Sequence, residues 1–359
     1  MYKVVNGKKR IFYLDQLRAL AIMLVVLAHV FRNFSNNFAV GTWQWYFSTL
    51  WVDIAVMGVP LFLMISGSLL LNRDYELGSF LKHRFARILI PFIPWAILLP
   101  FLLMFVNGYD VSLVSYKNIF LDKQYWFIYM LIGVYLFLPV INSFVKEFKL
   151  RGVEYFLVVW LVTMVLGFLN KYPFHELELS YFAGYLGYFV MGYYLANKDF
   201  KLSDKNMIRL GFIIAVVFTF INMRYTISRG FTTKSVMWCT YLTIVPVMQA
   251  TGLFLIFKYW AAFSSKNPGS FKNRIYSFFK DSFVFKIIFA ISTYSYGIFL
   301  VHYFPLNTLK YIGNHMIPFF KWNPLIWLPL NYIAVFVLAF LIVFICGHIP
   351  FIKRFSGAH

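Results

Sequence analysis

The sequence predicts an all-α polytopic membrane protein of about ten transmembrane helices, with both termini in the cytoplasm. Three observations carry this. Of 359 residues, 61% are hydrophobic and 22% aromatic, while 13% are charged, a composition foreign to a soluble domain with one core. Apolar runs long enough to cross a bilayer recur along the whole chain, separated by short polar loops. The 33 Lys and Arg residues alternate between rich and poor loops, as the positive-inside rule produces. The net charge of +20 is therefore a signature of topology, not of nucleic-acid binding.

The spans, in order, are 12–32, 51–71, 86–106, 124–142, 153–169, 181–196, 209–224, 236–258, 286–304 and 325–347. An even count puts both termini on one side. With these boundaries the N-terminal side holds 24 of the basic residues and the opposite side 9, which places both termini in the cytoplasm. MYKVVNGKKRIF leads straight into the first span with no small-residue cleavage site, so no cleaved signal is expected. No outer loop exceeds about twenty residues, too few for a folded external domain. Residues 1–359 thus read as a single multi-pass domain of a cell (inner) membrane, with lipid as its first partner. Cys239 falls near the outer end of the eighth span and Cys346 near the inner end of the tenth. They cannot meet, and both read as small core residues. The longest inner segment, 259–285, alternates Phe and Tyr with Lys and Arg. It reads either as an amphipathic piece on the inner leaflet or as a plain basic loop.

Chemistry concentrates in the first span, YLDQLRALAIMLVVLAH, Tyr13 to His29. A charged group inside the bilayer is costly and points to function. Arg18 and His29 are eleven residues apart, about three helical turns and roughly 16 Å, so they share a face, with Asp15 close to it. An imidazole can act as general base near neutral pH. A second basic element opens the third span, where Arg84 and Arg87 lie one turn apart with Lys82 and His83 beside them. Arginine forks bind phosphate oxygens bidentately; ordinary positive-inside decoration is the other reading. Ser66, Gly67 and Ser68 end the second span, where small residues admit close packing or a narrow ligand. The ninth span, ISTYSYGIFLVH, brings hydroxyls (Ser292, Thr293, Tyr294, Ser295, Tyr296) and His302 at about the level of His29. Gln124 and Trp126 open the fourth span at the outer interface, as an aromatic belt would. Asp53 is a candidate partner for His29, and Glu176 and Glu178 lie in an outer loop. HELEL lacks the second histidine of a zinc site, and no metal cluster is expected.

This set, in this order, resembles the acyltransferase type 3 family of integral membrane acyltransferases. The carriers are LDQLRALAIMLVVLAH with its spaced Arg18 and His29, VPLFLMISGSLLL, HRFARILIP with Arg84 and Arg87, YWFIYMLIGVYLFLPVI, YFAGYLGYFVMGYYLA and STYSYGIFLVH. It is most similar to the stand-alone surface-polysaccharide O-acetyltransferases. The resemblance implies acyl transfer, usually from acetyl-CoA, to a hydroxyl of an extracytoplasmic or lipid-linked glycan. It implies catalytic roles for His29 and Arg18. It implies donor binding by Arg84, Arg87 and Arg18, with Ser66 and Tyr294 along the donor's path. Asp15, Asp53, Trp126, Tyr296 and His302 are further candidates. Two positions depart from the family pattern: Gln16 stands where a glycine is usual, and Gln124 where closer relatives often carry histidine.

The expectation is therefore an acyl-CoA-dependent O-acetyltransferase of surface polysaccharide, with acetyl-CoA as donor, no metal and no nucleic acid. His29 would act as general base or as acyl carrier. A transporter of lipid-linked sugar would also line its path with intramembrane charges, but the chain shows no inverted repeat.

Overall fold

A computed structural model describes residues 2–5, 8–35, 37–107, 123–169, 184–229, 241–267, 269–317 and 322–358. The chain is all-α, about 85% helical, apart from an N-terminal hairpin of β1 (Tyr2–Val5) and β2 (Lys8–Ile11), paired antiparallel with Tyr2 opposite Ile11. The helices are α1 (Phe12–Ser35), α2 (Trp43–Ala55), α3 (Gly58–Leu70), α4 (Leu77–Asn107), α5 (Trp126–Phe168), α6 (Leu186–Asn197), α7 (Asp204–Arg229), α8 (Ile244–Lys266), α9 (Phe271–Asp281), α10 (Phe283–Val301), α11 (Tyr303–His315) and α12 (Pro324–His348). Among the described residues, eight helical stretches are long and apolar enough to cross a membrane: α1, α2 with α3, α4, α5, α7, α8, α10 and α12. The chain is a multi-pass membrane protein.

Against the expected ten spans, three differences stand out. The expected fourth and fifth spans lie in one helix, α5, interrupted at Lys149 (φ 51°, ψ −149°). The joining segment SFVKEFKLRG is rich in helix formers and lacks proline, so helix continues on both sides of a single left-handed residue. The expected sixth span is α6, only 12 residues long, about 18 Å at 1.5 Å per residue and short of a hydrocarbon core. The expected second span begins earlier, at Trp43, and breaks between Ala55 and Gly58. There Pro60 lacks the N–H that would bind Val56 O. The inner segment 259–285 holds the end of α8 and the whole of α9. Cys239, Glu176 and Glu178 lie outside the described residues. Cys346 is a free, half-buried thiol.

The contacts divide the chain into two compact units. The first comprises residues 1–28, 34–73 and 140–292. Its helices close on small residues. A Cβ on Gly67 would fall 1.8 Å from Phe189 O, and one on Gly192 1.9 Å from Met64 O, so α3 and α6 touch backbone to backbone, as small residues permit. Gly252 and Gly211 do the same for α8 and α7. Asn142 ends α3: its Oδ1 accepts from Asn72 N (2.7 Å), and its Nδ2 donates to Arg73 O (3.0 Å). Lys258, expected at the inner edge of a span, is instead buried in α8. Its ammonium donates to Leu195 O (2.8 Å) and Lys198 O (2.9 Å), carbonyls that the end of α6 leaves open.

The second unit comprises residues 29–33, 74–139 and 293–359. Ile326, Leu330, Ile333, Val337, Leu341 and Ile345 of α12 are exposed at helical spacing, while Leu328, Val335, Ala339 and Val343 are buried. An apolar stripe left outside a folded unit is a lipid-facing one. The C-terminal turn is built into this unit. Trp95 Nε1 donates to Phe355 O (2.9 Å), and Ser356 O lies so close to Gly297 that a Cβ there would come within 2.2 Å.

Candidate active site

The second unit gathers an aromatic and imidazole cluster around His29. His29 is half-buried near the C-terminal end of α1. Its Nδ1 shares a hydrogen bond with Tyr303 Oη at 2.8 Å, and its Nε2 lies 3.5 Å from the same oxygen. The His302 ring lies 5.0 Å from the His29 ring and 4.3 Å from the Tyr303 ring, centroid to centroid. Consecutive residues reach one imidazole because the chain turns there. α10 ends at Val301, His302 caps α11 (φ −58°, ψ −22°), and Pro305 lacks the N–H that would continue the ladder to Val301 O. His302 is fully buried. Its Nδ1 lies 2.7 Å from Phe299 O, and since a carbonyl only accepts, that nitrogen carries the proton.

The same unit holds the arginine pair. Arg84 is half-buried, with its guanidinium 5.4 Å above the Phe80 ring, a cation–π arrangement. Phe80 is in turn stacked on Tyr75 at 4.1 Å. Arg87 is exposed. Tyr296 Oη donates to Ile88 O (2.8 Å), so this tyrosine ties α10 to α4 beside the arginines. Pro91 and Pro94 interrupt the ladder of α4 just beyond, which leaves α4 in need of such ties. Tyr294 turns its ring to Phe340 and Phe344 of α12, and Trp126 meets Phe127 edge to face.

In the first unit, Asp15 is buried. Its Oδ1 accepts from Arg10 Nη2 (2.6 Å) and from Ser292 Oγ (2.9 Å). Arg10 also lies 4.6 Å over the Phe289 ring. Arg18, one turn after Asp15, is half-buried. Ser66 Oγ donates back to Phe62 O (2.8 Å). Asp53 belongs to a cluster of its own: Thr226 Oγ1 donates to its Oδ1 (3.0 Å), and Asn222 and Gln249 amides donate to its carbonyl oxygen (3.3 and 3.2 Å). Expected as a partner for His29, it instead secures the end of α2 where that helix breaks.

Among the described residues, no group of three or more His, Cys, Asp or Glu could hold a metal ion. What the second unit assembles is a half-accessible imidazole held by a phenol, together with arginines suited to phosphate. A family model for an acyltransferase domain, the type 3 model, matches residues 11–347. The chain belongs to the acyltransferase type 3 family. No curated protein and no solved structure matches it. The matched region of this membrane acyltransferase takes in His29, both arginines of α4, and the His302–Tyr303 turn.

Sequence reasoning passed over Tyr303, Arg10 and the Thr226–Gln249 pair. Tyr303 was legible only as an interfacial aromatic. The signal that singles it out is Pro305, which ends the span at His302 and redirects the next side chain. Arg10 reads as positive-inside decoration, and only its five-residue offset from Asp15 across a strand-to-helix junction hints at a pair.

Proposed function

We propose that the protein is an O-acyltransferase of a cell (inner) membrane that moves an acetyl group from cytoplasmic acetyl-CoA to a hydroxyl of an extracytoplasmic or lipid-linked glycan. In this reading the two stretches of α5 on either side of Lys149 each cross the membrane, and so does the expected sixth span, 181–196, which takes in most of α6. That gives ten crossings, cytoplasmic termini and one working domain. Arg84 and Arg87 bind the donor phosphates. Arg18, Ser66 and Tyr294 flank the pantetheine arm, and Tyr296 steadies the arginine segment. The observation that carries the reading is His29: a half-buried imidazole in an apolar span, gripped at Nδ1 by Tyr303. The reading takes the tautomer in which Nε2 keeps its lone pair for the reaction.

As general base, His29 Nε2 takes the acceptor's proton while the hydroxyl oxygen attacks the thioester carbonyl. The C–O bond forms, the C–S bond breaks, and the proton passes to the leaving thiolate, yielding ester and CoA thiol. As acyl carrier, Nε2 attacks the carbonyl itself, the N–C bond forming as the C–S bond breaks and CoA leaves as thiolate. The acceptor hydroxyl then attacks the acyl group, the C–O bond forms, the N–C bond breaks, and the hydroxyl proton ends on the thiol. The test is to incubate membranes with radiolabelled acetyl-CoA and follow both CoA thiol release and label in surface glycan. Label in glycan, lost with His29→Ala, supports the reading. Glycan export without label in glycan would favour a transporter and overturn it.

A further inference from the structure

His302 has a role that the arginine and His29 assignments leave unused. Its Nδ1–H is committed to Phe299 O at 2.7 Å, so its Nε2 bears a bare lone pair. That Nε2 is fully buried and has no hydrogen-bond partner. A buried acceptor left unmade costs about 1–3 kcal/mol, and in an apolar span water offers no relief. Such a group persists in a fold when some state of the molecule fills it. The His29 ring lies 5.0 Å from the His302 ring, centroid to centroid, and is tilted by 41° to it. In the resting cluster a single phenol, Tyr303, serves His29. A neutral His29 has one N–H. A protonated His29 has two.

We propose that His302 is a positioning residue for His29, its Nε2 accepting the second N–H of His29 once His29 has taken the acceptor's proton. The step creates no new species. The proton comes from the attacking hydroxyl, rests on His29 Nε2 between Tyr303 and His302, and leaves with the CoA thiolate. The hydrogen bond is made in the charged state and absent in the resting one, which is the condition for an interaction to speed the reaction and not merely to tighten binding. It also favours His29 as base over His29 as acyl carrier, because an acylated Nε2 has no proton to donate. The inference rests on the proposed function and deepens it.

The test uses full-length protein in native membrane vesicles that retain their own acceptor, with radiolabelled acetyl-CoA and rates normalised to folded protein. His302→Leu and His302→Phe remove the acceptor nitrogen in two shapes, and His302→Gln restores an acceptor oxygen. The expected result is a maximal rate at least about tenfold lower for Leu and Phe, an unchanged apparent KM for acetyl-CoA, and recovery to within about threefold for Gln. A tenfold loss corresponds to about 1.4 kcal/mol of barrier. A merely structural histidine predicts the reverse pattern: lower Tm for all three variants, loss of rate in step with loss of folded protein, and no rescue by Gln. That pattern overturns the proposal, as does a parent-like rate in Leu or Phe. If only one of Leu and Phe folds, that one decides. His29→Ala run alongside separates the two failures. Activity surviving His29→Ala sinks the proposed function. Activity lost with His29→Ala but kept in His302→Phe sinks the role of His302 alone.

Discussion

The two ends of α1 carry polar groups of similar sequence appearance and opposite physical character. At the N-terminal end Asp15 is buried, and two donors hold its Oδ1, Arg10 at 2.6 Å and Ser292 at 2.9 Å. A carboxylate in the first turn also suits the positive end of the helix dipole. At the other end His29 is half-buried, holds a single phenol, and faces a second imidazole whose Nε2 has no partner. The first site is complete as built, so it is a fastening. The second is half-accessible and holds an unpartnered nitrogen, which is why we propose that the chemistry lies there. A charge in a membrane span marks function by default, and α1 shows that the default needs the partner atoms before it can be applied.

Substitutions at the two ends break this contrast if it is wrong. The largest expected effect on folding is at Asp15. Asp15→Ala strands Arg10 at a buried site and should cost about 3 kcal/mol, read as a lower Tm in detergent, while turnover per folded molecule stays within about threefold of the parent. A dead but fully stable Asp15→Ala would place chemistry at that end too. Next comes Tyr303→Phe, which frees Nδ1 of His29. Turnover should fall about tenfold, equivalent to one hydrogen bond of about 1.4 kcal/mol, with Tm little changed.

Arg87→Ala should act more mildly and on binding alone. The exposed guanidinium is proposed to meet donor phosphate, so the apparent KM for acetyl-CoA should rise several-fold at constant maximal rate. A fall in maximal rate with unchanged KM would move Arg87 out of donor binding. The smallest effect is expected at Glu154, whose carboxylate lies 2.6 Å from Lys198 Nζ in an exposed pair. The hydrogen bond that Lys198 donates to the Glu154 carboxylate raises the ammonium above its ordinary value. Any contribution is thus present at neutral pH and fades only as pH rises through that raised value. Glu154→Gln should leave turnover and Tm unchanged at pH 7, as exposed ion pairs usually do.

Much of the architecture was legible because hydropathy in a membrane chain is nearly a direct reading of helix. α1, α4, α7, α10 and α12 fall where the apolar runs fall. What hydropathy misses is a change of backbone direction inside an apolar run. The break after Ala55 lies within VDIAVMGVPLF, and the turn at His302 within FLVHYFP. In both, the apolar pattern continues and a proline a few residues on is the only mark. The same blindness hid Tyr303, because the bend that aims it at His29 carries no hydropathic signal. At Lys149 the charges did mark the place: the helix breaks there, between the expected fourth and fifth spans, though at one residue and not in a loop. The Arg18 and His29 positions on α1 were readable from spacing alone. Of the partners that tell fastening from chemistry, Ser292 and His302 were named from the ninth span, while Arg10 on β2 and Tyr303 on α11 were passed over.

The central claim is that His29 performs chemistry and does not merely fill space. The most direct measurement is turnover of His29→Ala, purified in its native lipid and shown to be monodisperse, with radiolabelled acetyl-CoA and glycan acceptor. A lost base should lower the rate by about 10²–10⁴-fold while Tm and acetyl-CoA binding stay near the parent's. A rate within about tenfold of the parent, or a loss explained by unfolding, would contradict the account.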